Sequence, residues 1–405
     1  MIVRRTAAVL AAIAVIGGAS APAALAASPS PSPKLPSGLY GSADPMYDGV
    51  WRQSFALLAQ HTAGVRPAAK AVDWLTGQQC ANGSFAAYRA EPTAACDTKT
   101  QIDTNSTAAA VQALATLGGH DARTGKAVSW LKSVQNEDGG WGFTAGGASD
   151  TNSTSVVIGA LSAAGVKPQE TKSAKGHSPY DALVKLSIPC DGKDGGAFAY
   201  QPDKKGELAA NADATASGVL AGLGKGFVAG PGKAAGDAKC TGGDKLTPVD
   251  AAHNGAAYLA GALKKDPYLT VALPGAKPKP DYGNTADAVV ALAATGSPSA
   301  AQRPLAWLKK NAADWAPQCG PAAYAQLIFA AHAADTDPRD FGGVNLVEKL
   351  NETGPAPQNA QQGATDEVHS QTDSSYGVWW FVGAFLIAVI GIGFWLTGRS
   401  RKQQP

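Results

Sequence analysis

The sequence predicts an all-α chain in which six helical hairpins close into an α6/α6 toroid, followed by one C-terminal transmembrane helix. Three observations predict it. A unit recurs in which a helix containing Trp-Leu runs through Gln and Gly to an aromatic residue, and a second helix then opens at an Asp- or Asn-rich start. Apolar residues at a spacing of three to four mark twelve helical segments, alternating as inner and outer members of six pairs. The inner segments are rich in Ala and Gly, which lets helices approach closely around a centre.

The clearest unit runs from Val128 to Leu161. Trp130-Leu131 is followed by Gln135, Gly139 and Trp141, and the next helix opens at Asp150-Thr151-Asn152-Ser153-Thr154. Upstream, Trp74-Leu75, Gln79, Gly83 and Phe85 keep the same spacing, and Asp103 to Thr107 repeats the second half. The residues inserted between those halves hold Cys80 and Cys96. A helix pair of this length buries its apolar face only against its neighbours, so one unit alone does not fold.

In chain order, residues 1–26 read as a secretory signal peptide: Arg4-Arg5, an apolar run from Ala7 to Ile16, and a cleavage site at Ala24-Leu25-Ala26. Residues 27–39 are a Pro/Ser-rich linker. The toroid is expected over 40–350. Its pairs are Tyr47–Gln60 with the segment after Arg66-Pro67, Thr104–Leu117 with Arg123–Gln135, and Thr151–Ala164 with Tyr180–Leu186. The fourth inner helix opens at Asn211-Ala212-Asp213 and pairs with Pro248–Leu263; the fifth opens at Asp281-Tyr282-Gly283-Asn284 and pairs with Arg303–Asn311. Pro321–Ala334 and Val344–Leu350 form the sixth pair. The third unit reads as degenerate, with Phe198 one position late after Asp194-Gly195-Gly196. An open superhelix is the competing arrangement.

Residues 351–377 form a polar, Gln-rich stalk expected to be disordered. Val378–Leu396 is an uncharged stretch about 28 Å long as a helix, at roughly 1.5 Å per residue. Trp379, Trp380 and Trp395 stand at its ends, and the basic tail 397–405 is then cytoplasmic, with the bulk of the chain outside.

Only 16% of residues are charged and the formal net charge is +2, so nothing points to nucleic acid. Five cysteines fit an oxidising exterior, with Cys80–Cys96 and Cys190–Cys240 as the expected disulfides and Cys319 left over. The cysteines and six scattered histidines show no metal-ligand spacing, so no metal site and no cofactor are expected.

The Trp-Leu-x3-Gln-x3-Gly-x-aromatic unit, at Trp130 to Trp141 and Trp74 to Phe85, resembles the repeat of the squalene cyclase and protein prenyltransferase superfamily. That resemblance implies an α/α toroid. The catalytic motifs of the relatives are missing: no DxDD acid, of which Asp335-Thr336-Asp337-Pro338 is the nearest approach; no zinc-binding DxC; and no thioester motif, since Cys319-Gly320-Pro321-Ala322 lacks the glutamine. The chain also looks like the secreted, disulfide-bearing cobalamin carriers of the transcobalamin and intrinsic factor type, which implies cobalamin or another corrinoid as ligand. Those carriers have a β-domain that this sequence lacks, so a separate β-domain protein, or a transporter in the same membrane, is the implied partner.

The inner-helix starts hold Asp103, Asn105, Asp150, Asn152, Asn211, Asp213, Asp281 and Asn284, residue types that cap free N–H groups. In a closed toroid these starts converge on one rim. Together with Trp141, Phe143 and Tyr282 they form the expected ligand-binding mouth, suited to a polar small molecule. A non-catalytic, membrane-anchored capture protein is therefore the expected function. The alternatives are a terpene-cyclase-like enzyme, a glycan-processing enzyme using Asp103 and Asp150, and a purely structural surface protein.

Overall fold

The computed structural model describes residues 35–358, apart from 235, 237–238, 244 and 272–277. The expected signal peptide, transmembrane stretch and basic tail, and most of the expected linker and stalk, lie outside the described residues. Among the described residues no helix is long and apolar enough to cross a membrane.

Thirteen helices are found among the described residues. The inner helices are α1 (Gly49–Thr62), α3 (Thr104–Leu117), α5 (Thr151–Ala163), α7 (Ala212–Gly222), α9 (Tyr282–Ala294) and α12 (Pro321–Ala333). Each packs against its predecessor, and α12 packs against α1, so the ring closes and the open superhelix is excluded. The outer helices are α2 (Ala69–Gly77), α4 (Asp121–Ser133), α6 (Pro179–Lys185), α8 (Pro248–Ala262), α10 (Pro298–Asn311) and α13 (Leu346–Asn351), each lying on the inner helix before it. The short α11 (Ala316–Cys319) is one extra turn leading into α12. Helix α10 starts earlier than the spacing predicts because Pro298 suits a first helical position. Two short antiparallel strands, β1 (Leu269–Thr270) and β2 (Pro280–Asp281), lead into α9.

The seam between the two ends of the chain is hydrogen-bonded. The Tyr40 hydroxyl shares its one hydrogen between Gln60 Oε1 and the Pro355 carbonyl, Gln60 donates to Asn351 Oδ1 at 2.7 Å, and the Arg339 guanidinium donates to the Ala63 carbonyl at 2.6 Å. The Gln358 amide donates to the Arg66 carbonyl, so residues 351–358 pack on the ring. Inner helices are apolar nearly all round, since each faces two neighbours, an outer helix and the centre. On α3 every residue from Thr104 to Leu114 is buried.

The recurring unit is a packing device. Gln79 and Gln135 donate from Nε2 to the carbonyls of Gly83 (3.0 Å) and Gly139 (2.7 Å), holding the turn that drops the aromatic into the core. Phe85 and Trp141 are buried there, and the Trp141 indole N–H donates to the Leu131 carbonyl. Their backbone amides donate to Thr107 and Thr154 on the following inner helix. The amides of Phe198 and Leu269 repeat that bond to Thr215 and Thr285, at 2.9 and 3.0 Å.

Gly196 takes the place of Gly139 in the third unit: its φ is +87°, and a Cβ there would overlap the Asn254 carbonyl of α8. Aligned on Gly196, Phe198 stands at the normal spacing, so that unit is regular where the sequence reads as degenerate.

Disulfides join Cys80 to Cys96 and Cys190 to Cys240, each with Cα atoms 5.7 Å apart, and Cys319 is free. The first ties down the inserted loop; the second ties the loop after α7 to the turn that carries Phe198.

The ring is filled from the C-terminal ends of its inner helices by the segment after α7. Phe227 stacks edge-on against Phe55 and Trp51, with centroids 4.7 and 5.3 Å apart, and Phe55 meets Phe329 of α12. The Phe227 amide donates to Gln112 Oε1 on α3, while Gln112 Nε2 donates to the Val156 carbonyl on α5. Gly232 donates to the Ala293 carbonyl at the end of α9. With Gly226 packed on Gly159 of α5 and Gly230 beside His332 of α12, this segment touches five inner helices and blocks the ring at that end.

Gly139 has φ +95°, and a Cβ there would overlap the Ser178 carbonyl at the start of α6. Both terms oppose a side chain. Gly139→Ala is expected to cost about 2 kcal/mol or more in urea unfolding, whereas the same change at Gly125 on α4, where a Cβ meets nothing within 4 Å, is expected to be neutral or stabilising.

Candidate functional site

All four Asx-capped inner helices begin at the unblocked end of the ring. The Asp103, Asp150, Asn211 and Asp281 side chains accept from the amides of Ser106 (2.6 Å), Ser153 (2.7 Å), Ala214 (2.9 Å) and Asn284 (3.0 Å). Each satisfies a donor that the first helical turn leaves free. The capping role is therefore realised at every one of them.

Two positions after each cap stand Asn105, Asn152, Asp213 and Gly283. Asn152 of α5 donates from Nδ2 to Asp213 Oδ2 of α7 at 2.7 Å, so these side chains meet between neighbouring helices. Deeper in the ring, Gln326 of α12 donates from Nε2 to Asp287 Oδ2 of α9 at 3.0 Å. The Tyr200 hydroxyl faces Asp150. Asp213 and Asp287 are both half-buried, so the acidic region between these helices is a partly open recess.

The electrostatics follow from burial. Asp103 and Asp150 are pushed up to about 6 by desolvation, against the amide bonds from Ser106 and Ser153. Asp213 is also raised to about 6, by burial and then by the charge of Asp281, with the Asn152 bond opposing. Burial raises Asp281 as well. Asp287 is pushed up to about 8 by burial and then by Asp213 and Asp281, so at neutral pH it is mainly a neutral carboxylic acid. Among the described residues, none of the charges acting on these five carboxyls is cationic.

Several acceptors here have no partner: Asn105 Oδ1, Asp150 Oδ2, Asn152 Oδ1, Ser155 Oγ and Gln326 Oε1. Asn105, Asp150, Ser155 and Gln326 are 5%, 1%, 5% and 4% exposed, and an unpaired buried acceptor costs about 1–3 kcal/mol. Such a set is unusual enough to require an explanation.

The structure gathers some expected mouth residues and not others. Asp150, Asn152, Asp213 and Asp281 act together; Asp103 and Asn105 sit on the same rim, but no charge coupling links Asp103 to the rest. Trp141 is not at the mouth, since it is 1% exposed and anchors the core beneath α5. Phe143 is half-buried and contributes its carbonyl to the Thr104 amide. Tyr282 turns outward to stack on Trp307 and Trp315, with centroids 4.8 and 5.3 Å apart, and Asn284 donates to Asp281.

Sequence reasoning missed Asp287, Gln326, Tyr200 and Ser155. The signal for the first two was a lone polar residue inside an otherwise apolar run, Asp287 in ADAVVALAA and Gln326 in PAAYAQLIFAAHAA. Cys319 is half-buried, and burial together with Asp281 pushes its thiol up to about 11, which keeps it protonated.

Two surface depressions, of about 280 and 600 Å³, lie at the opposite end of the ring, around His332 and Arg339 and around Arg66 and Leu117. Neither shares a residue with the acidic recess, so they are not the place where the buried chemistry is concentrated. Among the described residues no group of three or more His, Cys, Asp or Glu is placed to hold a metal ion.

Residues 51–223 match the family model of the prenyltransferase alpha-alpha toroid domain. Among solved structures, an ent-copalyl diphosphate synthase from Streptomyces platensis is similar at 17% identity and a TM-score of 0.48, over 71% of this chain and 50% of that one. A protein from Actinoplanes is similar at 14% identity and a TM-score of 0.33, over 70% of this chain and 100% of that one. The present chain thus spans half the length of the synthase. The comparison with curated proteins gave no match.

A carboxyl whose folded pKa lies above its unfolded value near 4 stabilises the fold at low pH. For Asp287 that contribution falls as pH rises from about 4 and is gone above about 8. Asp287→Asn is therefore expected to raise Tm at pH about 8 while leaving it nearly unchanged at pH about 4, as read by calorimetry across that range.

Proposed function

We propose that the chain, whose residues 51–223 match the family model of the prenyltransferase alpha-alpha toroid domain, captures a small polar ligand in the acidic recess of its toroid, outside the cell and tethered by its C-terminal apolar stretch. The observation that carries this reading is the set of unpartnered acceptors at one end of a ring blocked at the other. Acceptors without partners favour a ligand that brings N–H or O–H donors. A corrinoid carries primary carboxamides around its ring and matches that requirement, so it is the first ligand class to test. The recess is lined by one chain alone, and a separate protein closing over the mouth would complete the enclosure. The tether would keep captured ligand near a transporter in the same membrane.

A second reading is supported by one observation. Asp287 is held as a neutral acid at neutral pH, and such a group can deliver a proton to a substrate. A terpene-cyclase-like reaction would use it as the acid. The glycan-processing alternative, which needs Asp103 and Asp150 as a pair, is less well supported, because Asp150 is coupled to Asp213 and not to Asp103.

Isothermal titration of the full-length chain in detergent with cyanocobalamin and cobinamide tests the capture reading. Binding is expected, and the double variant Asn105→Ala, Asn152→Ala is expected to weaken it by about tenfold or more, the loss of one to two hydrogen bonds. Silence with both corrinoids removes that ligand class. Turnover of a prenyl diphosphate that Asp287→Asn abolishes would replace capture with catalysis.

A further inference from the structure

We propose that the floor of the recess, between α7, α9 and α12, is a subsite for a primary ammonium group of the ligand, with Asp213, Asp281, Asp287 and Gln326 as its acceptors. The inference rests on the recess being a ligand site and names the chemistry of its deepest part.

The repeat itself provides the first observation. The position two residues after each cap is Asn105 on α3, Asn152 on α5 and Asp213 on α7, but on α9 it is Gly283. A Cβ on Gly283 would stand 3.3 Å from Gln326 Oε1 and 3.4 Å from its Nε2. A side chain like those of the sister positions would run into that amide, and glycine lets it approach. Nor does a backbone requirement explain the glycine, since Gly283 is not among the residues of positive φ.

The second observation is the amide packed against Gly283. Gln326 is 4% exposed; its Nε2 is committed to Asp287 Oδ2, and its Oε1 has no partner. The amide therefore presents a bare acceptor beside a carboxyl group. Across the recess, Asp213 uses Oδ2 to accept from Asn152, which leaves Oδ1 for another donor. Asp281 completes the group: it caps α9 through Oδ1 and is close enough to Asp213 and Asp287 for its charge to raise both.

Three carboxyls and an amide oxygen, with no cationic side chain acting on them, ask for a cation that carries N–H donors. An inorganic metal ion is disfavoured, because no three ligating side chains converge closely enough to hold one among the described residues. A quaternary ammonium would supply charge but no hydrogen, leaving Gln326 Oε1 unpaired. A primary ammonium has three donors to offer acceptors that come from different helices. Its charge also offsets the mutual repulsion of Asp213, Asp281 and Asp287, so Asp287 would lose its proton as the cation enters. The groups facing Asp287 are Asp213 of α7, Asp281 at the start of α9 and Gln326 of α12.

The test is calorimetric titration of the full-length chain in detergent with putrescine, n-butylamine, n-butyltrimethylammonium and n-butanol, at several pH values. The two primary amines are expected to bind at millimolar concentration or below, and the trimethylated ion and the alcohol at least about tenfold more weakly. Affinity for the amines is expected to rise with pH up to about 8 as proton release from Asp287 becomes easier, and Asp287→Asn is expected to remove that dependence. Gly283→Asn is expected to lower amine affinity by about tenfold or more with Tm retained. Equal binding of n-butylamine and its trimethylated analogue, or no binding of either amine at millimolar concentration, overturns the subsite. A corrinoid titration run beside it separates the two claims. Corrinoid binding with silent amines overturns the subsite and leaves capture standing, and amine binding with silent corrinoids supports the subsite and removes only that ligand class.

Discussion

The closure of six inner helices into a ring, all pointing the same way, is the constraint on which the rest depends. It places the first turns of α3, α5, α7 and α9 side by side, with their free amides at one end, and those amides need acceptors. Asp103, Asp150, Asn211 and Asp281 meet the need. The same geometry brings carboxylates from different helices together, which a solitary helix would never do. Capping and crowding are thus two results of one arrangement.

The two effects can be weighed. An amide bond and the positive end of a helix favour a carboxylate by about 0.3–1 kcal/mol, within the first turn only. Asp103 and Asp150 receive that help and are raised to about 6. Asp287 sits more than a turn further in, accepts only from the Gln326 amide, and feels Asp213 and Asp281, so it reaches about 8. Each unit of pKa corresponds to about 1.4 kcal/mol, which exceeds what one helix terminus returns. Burial and repulsion therefore win at Asp287, and the protein holds a neutral acid where a charged one would be ordinary. In the proposed capture that neutral acid would give up its proton to admit a cation, and in the catalytic reading it would donate it to substrate; the unpartnered acceptors Asn105, Asn152 and Gln326 weigh toward capture.

Much of this was legible in the sequence because it is local. Trp130, Gln135, Gly139 and Trp141 form one turn of chain whose bonds close within a dozen residues, and Asp-Thr-Asn-Ser-Thr announces its own cap. The six pairs and both disulfides followed from such local signals. What depends on the ring was not legible. Phe227 reads as a stray aromatic in a Gly-rich loop, and only closure makes it the plug that meets Trp51, Phe55 and Gln112. Asp287 and Gln326 read as tolerated polar residues until α9 and α12 are neighbours. Trp141 was expected at the mouth because it lies close in sequence to the mouth residues, but the repeat uses its indole as the core anchor.

Ring closure forces these carboxyls together and keeps Asp287 protonated near neutrality. Carbon-13 NMR of the aspartate side-chain carboxyls, followed as a function of pH in the full-length chain, tests it most directly. One carboxyl resonance is expected to titrate near 8, to vanish in Asp287→Asn, and to be accompanied by a group titrating near 6. Titration of every aspartate near its ordinary value of about 4 would contradict it.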